Sequence, residues 1–308
     1  MPTTNEIRDR VAKESEHRSR LAVPAFAGGF LYLLSAIVIS STLNGAPTVG
    51  LLQGLAPALS GVANPAVSPR AQEVKFISHH ALALIAGSTI ETVAVVALTL
   101  VLLVLLEATR FRRPQTWVAA RPLVIAGGVA VALVSLGHQV ASAIETHNFA
   151  VGHNLSNHAV ELALTTGTAN VIADYIDLFG GLALAAGMIA TMINALRVGL
   201  VTRWMSILGM FTGLLIFLPI GGAELQVVPA FWLVMMGLLY MGRWPKGEPP
   251  AWAAGEAMPW PSQAQLRAQA GGGRGAPVAA GVGAVPEPVR PAGGGSSRKR
   301  RRKRGASS

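Results

Sequence analysis

The chain has 308 residues, 51% hydrophobic and only 13% charged, about half the charge of an ordinary soluble domain. That deficit excludes a conventional soluble globule and points to a membrane protein. The formal net charge is +10 and there is no cysteine, so disulfides, thiol catalysis and cysteine-ligated metal centres are excluded.

In chain order, apolar runs near the ~20 residues that a bilayer crossing needs fall at 24–43, 86–106, 122–142, 177–196, 204–221 and 225–242. They predict an all-α polytopic membrane protein with six transmembrane helices. Residues 1–23 carry five bases and four acids, and no small-x-small cleavage site follows 24–43. The first run therefore reads as an anchor, not as a signal peptide.

Residues 48–60 are apolar but interrupted by Gly54 and Pro57, which predicts a segment lying on the outer interface. Ser68-Pro69 predicts a helix start, with Ser as N-cap and Pro at the first helical position. A helix from Pro69 to Leu106 would be roughly 57 Å long, so it is expected to project, tilt or bend near Gly87-Ser88. Ser156-Asn157 predicts the cap of a short helix over 158–166 that ends at Gly167. The fifth and sixth runs, joined through Gly221-Gly222-Ala223-Glu224, predict a tight helical hairpin.

Residues 1–244 hold 14 Lys/Arg against 12 Asp/Glu, whereas residues 245–308 hold 11 against 3. Of the last 64 residues, 21 are Gly or Pro, a composition that predicts a disordered tail. Trp244, Trp252 and Trp260 are expected at the headgroup level. The tail closes on Arg298, Lys299, Arg300, Arg301, Arg302, Lys303 and Arg304. A lipid bilayer is the expected partner. This cluster is expected to meet anionic lipid headgroups in preference to nucleic acid.

The loops on alternate sides carry unequal numbers of Lys and Arg. Segments 1–23, 107–121 and 197–203 hold five, four and two, whereas 44–85, 143–176 and 222–224 hold two, none and none. Positive residues stay in the cytoplasm, so both termini are expected there, in a multi-pass protein of the plasma membrane.

Asp174 and Asp177 open the fourth span. Counting back ~20 residues from its cytoplasmic edge places Asp177 at the outer boundary, where a helix N-terminus favours carboxylates. Asn170, Asp174, Asp177 and Gly181 share one helix face, so a polar stripe is expected. Glu91 lies deeper, 15 residues from Glu107, and His138 reaches the same depth on the antiparallel third span. The two form a candidate intramembrane pair, serving either to pin helix register or to bind a proton, cation or ligand. On the outer loop His147, His153, His158 and Glu161 are candidate metal ligands. No HExxH, GxSxG, phosphate-binding glycine loop or haem-attachment motif is present, and no cofactor is indicated.

The stretch Leu196–Gly209, LRVGLVTRWMSILG, followed by a glycine-bearing span and VPAFWLVMMGLLY, resembles a known pattern. It is similar to that of bacterial, especially actinobacterial, six-helix membrane proteins grouped as a domain of unknown function. The resemblance rests on Arg203-Trp204 and Trp232 and implies architecture, not activity. The functional expectation is a small-solute or ion permease, or a structural or sensory membrane component. The alternative is a membrane enzyme or metal- or haem-binding protein acting at the outer face.

Overall fold

The structure, a computed structural model, describes residues 4–61, 67–152, 154–218, 223–245 and 247–260. Among these residues it is all-helical. The helices are α1 (Thr4–Leu43), α2 (Leu51–Leu59), α3 (Ala71–His79), α4 (Ala81–Arg112), α5 (Ala120–Val151), α6 (Asn157–Glu161), α7 (Thr168–Val198), α8 (Arg203–Phe217), α9 (Val227–Tyr240) and α10 (Pro250–Ala254). Helices α1, α4 and α5 and the stretch ending in α7 are long and apolar enough to cross a membrane. The runs expected at 204–221 and 225–242 form α8 and α9, of 15 and 14 residues. At ~1.5 Å per residue these span roughly 22 and 21 Å, less than a ~30 Å hydrocarbon core.

The six larger apolar helices pack as a closed ring. Sequence neighbours α1–α4–α5–α7–α8–α9 touch in turn, α9 returns to α1, and α4 meets α7 across the middle. The centre is filled by fully buried Leu98, Leu102 and Leu105 from α4, Met188 and Met192 from α7, and Trp232 and Met236 from α9. Large apolar side chains such as Phe30, Ile37, Leu133 and Phe179 point outward and stay exposed, as lipid-facing positions do in a bundle. The most extensive contact is α5 on α7, and Gly127 makes it possible. A Cβ there would overlap the backbone of Leu184, so the close approach requires glycine.

The long helix expected from Pro69 breaks at His80, between α3 and α4, and not at Gly87-Ser88. The His80 ring stacks on Phe76 with centroids 4.1 Å apart, and its Nδ1–H donates to the Phe76 carbonyl at 2.9 Å. Gly87 instead serves close packing, since a Cβ there would stand 2.7 Å from Ile39 Cγ1 of α1. The α3 helix starts at Ala71, two turn residues later than Pro69 at N1 would place it, and the Ser68 hydroxyl accepts from the Arg70 N–H. Ser156 caps α6 as expected, accepting from Ala159 N–H at 3.3 Å. A single wide turn, Leu162–Thr166, then leads to Gly167. Helix α2 is exposed along its described side chains, with Leu51, Leu52 and Leu59 each more than three-quarters accessible.

A larger departure concerns residues 247–260, expected to be the start of a disordered tail. They pack on the loop end of the bundle, and the compact unit extends to Trp260. Trp252 is 3% exposed and its indole N–H donates to the Leu200 carbonyl at 2.8 Å. Trp260 does the same to Val201 at 2.8 Å. Both indoles are thus tied to backbone carbonyls of the turn between α7 and α8. The basic cluster 298–304 and the turn 219–222 lie outside the described residues.

Candidate functional site

Three helices each bring a polar pair at helical spacing to the same place. Ser88 and Glu91 are three apart on α4, Ser135 and His138 three apart on α5, and Asp174 and Asp177 three apart on α7. Residues at that spacing share a face, and all six line one cavity of about 600 Å³. Tyr32 of α1, Gln139 of α5 and Gln226, just before α9, complete its polar wall. Glu91 sits ten residues into α4, about 15 Å along the helix. Asp174 and Asp177 are exposed while Glu91 and His138 are half-buried, so the cavity leads inward from the aspartates to the glutamate.

Glu91 and His138 thus face a common space, but no ion pair joins them directly among the described residues. The Glu91 carboxylate accepts from the Gln226 amide at 3.1 Å and has the Ser135 side chain beside it. Gln226 is a partner that sequence reasoning missed. His138 instead lies near two other carboxylates, Asp177 and Glu145. Glu145 is seven residues beyond His138, on the same face of α5. It accepts from the Asn170 amide at 2.7 Å, and a Cβ at Gly167 would collide with its carboxylate. The carboxylate therefore rests on the N-terminal end of α7, where the helix dipole favours negative charge.

The expected polar stripe on α7 divides. Asp174 and Asp177 face the cavity, whereas Asn170, 1% exposed, turns to Glu145. Gly181 packs near the end of α8, 3.5 Å from the Ile216 carbonyl for an added Cβ. Among the described residues the cavity wall carries three carboxylates and one imidazole and no Lys or Arg. Its electrostatic character is that of a trap for cations or protons.

Among the described residues the loop histidines are not gathered, and no three His, Asp or Glu side chains come together as metal ligands would. His147, His158 and Glu161 are each exposed, and His153 lies outside the described residues. Comparison with models of protein families, with curated proteins and with solved structures finds no match.

Proposed function

We propose that the protein is a six-span integral membrane permease for a small cationic solute, with both termini in the cytoplasm and the acidic cavity open to the outer side of the plasma membrane. The observation that carries this reading is the convergence of Glu91, Asp174 and Asp177 on one cavity without a balancing Lys or Arg. Like charges a few ångströms apart destabilise one another. At an effective dielectric of ~20, two unit charges ~8 Å apart interact by about 2 kcal/mol. A bound cation or proton relieves that repulsion, and the Gln226 amide holds the Glu91 oxygen in place for it. Beyond Glu91 the bundle is packed solid by Leu98, Leu102 and Met188, so passage onward requires a second arrangement of the helices. The likeness to uncharacterised six-helix bacterial membrane proteins belongs to this reading and adds architecture only.

The test is direct binding to the purified chain in lipid nanodiscs, with Na⁺, K⁺ and methylammonium as probes. At least one cation should bind, with affinity falling as protons compete at lower pH. Glu91→Gln should weaken it by about tenfold, which is ~1.4 kcal/mol, and Asp177→Asn by a similar factor. Cation affinity unchanged in both variants would sink the proposal.

The topology has its own check. A reporter active only outside the cytoplasm should be active when fused after Asn148 and silent after Arg113, because the Lys/Arg excess lies on the Arg113 side. Activity at Arg113 would invert or break the six-span reading.

A further inference from the structure

A second built feature lies on the outer wall of the ring, away from the acidic cavity. Between α4 and α5 runs an apolar groove of about 770 Å³, walled by Val96, Thr99 and Leu100 on one side and Val129 and Leu133 on the other. Its polar atoms are spent internally, since the Thr99 hydroxyl donates to the Val95 carbonyl at 2.8 Å. The groove therefore presents hydrocarbon only. On α4 it extends from Thr92 to Leu103, roughly 17 Å along the helix, which matches one leaflet of a ~30 Å core.

At its lower end Leu103 is also a wall of a second pocket, of about 360 Å³, which holds Arg110 and Arg121 together with Glu107 and Phe111. The groove thus passes from pure hydrocarbon into a charged pocket at the α4–α5 loop. Ion pairs among the described residues include Arg18–Glu248, Arg20–Glu16, Arg70–Glu73 and Arg112–Glu14. Arg110 and Arg121 are in none of them. The neighbouring pocket across Phe111 adds Arg10 and Lys13, while its carboxylate Glu14 is taken by Arg112. Of the residues lining the two pockets, Glu107 is then the carboxylate left facing Arg10, Lys13, Arg110 and Arg121. Trp117, half-exposed in the same loop, is a residue type that marks the headgroup level.

We infer that this composite site binds one anionic phospholipid, its acyl chains in the α4–α5 groove and its phosphate between Arg110 and Arg121. A groove one leaflet long fits acyl chains. The surplus of positive charge at its mouth selects an anionic over a zwitterionic headgroup. The inference needs only that α4 and α5 cross the bilayer, and it stands or falls separately from the cation cavity.

The experiment is native mass spectrometry of the full chain released from micelles carrying equal phosphatidylglycerol and phosphatidylcholine. Wild type should retain one phosphatidylglycerol in preference to phosphatidylcholine by about tenfold. The double variant Arg110→Gln/Arg121→Gln should erase that preference, and Arg113→Gln, outside the pocket, should keep it. Gly137 lines the far end of the groove with nothing within 4 Å of an added Cβ. Gly137→Leu should therefore fold normally and weaken long-chain but not short-chain phosphatidylglycerol. The inference is overturned if the double variant keeps the preference, if Arg113→Gln loses as much, or if glycerol phosphate, lacking chains, displaces the lipid equally well.

Discussion

Trp252→Ala is expected to lower the stability of the chain by about 3–5 kcal/mol, the usual range for removing a buried aromatic. The side chain is 3% exposed and does three jobs. Its ring meets Tyr240 edge-on at 6.2 Å, its face lies under the Arg18 and Arg112 guanidinium groups at 4.6 and 5.3 Å, and its N–H satisfies the Leu200 carbonyl at 2.8 Å. Truncation empties the ring volume, removes the aromatic surface under Arg18 and one of the two under Arg112 and orphans a carbonyl in the turn between α7 and α8. Trp252→Phe separates these effects. It keeps an aromatic body and loses the hydrogen bond, so about 1–2 kcal/mol should go. Thermal unfolding in detergent reads both. A Trp252→Ala protein that melts with wild type would mean that residues 247–260 do not hold the bundle.

Much of this architecture was legible in the sequence, and the parts that were not have physical reasons. Helices α1, α4, α5 and α7 announce themselves because a bilayer demands unbroken apolar length. Ser156 and Gly167 bound a short helix through local hydrogen bonding, which neighbours in sequence decide. The break at His80 was misplaced because Gly87 reads as a weak point in a helix. Here it is a contact point, chosen for its missing Cβ against Ile39. Residues 247–260 look disordered by their glycine and proline content. Two indole N–H donors and a ring under two arginines anchor them, and no local pattern records a long-range contact. At the cavity, counting residues along antiparallel helices puts Glu91 and His138 at one depth, and both line the cavity wall. Depth alone does not fix azimuth, so the hydrogen-bond partner, Gln226, and the neighbours of His138, Asp177 and Glu145, stayed hidden until the helices were placed around the ring.

Removing either half of the Arg112–Glu14 pair is expected to cost about 3–5 kcal/mol, because the survivor is left charged and buried. The Arg112 side chain has no exposed surface and that of Glu14 keeps 15%. The guanidinium forks onto the carboxylate at 2.8 and 3.1 Å while its Nε–H donates to the Ala251 carbonyl at 2.9 Å. One planar group thus ties α1, α4 and the segment around α10. Arg112→Ala loses every tie at once. Arg112→Lys keeps the charge, but a lysine ammonium cannot present the planar fork, so it should recover only a minor part of the loss. Glu14→Gln keeps the shape and removes the countercharge, leaving the guanidinium to carbonyl oxygens alone. The double variant Arg112→Met/Glu14→Met removes both charges together with their desolvation cost, so it should lose clearly less than the two single losses added. Unfolding of wild type, Arg112→Met, Glu14→Met and the double variant in one detergent completes the cycle. Strict additivity would show that the two side chains, although adjacent, are not coupled.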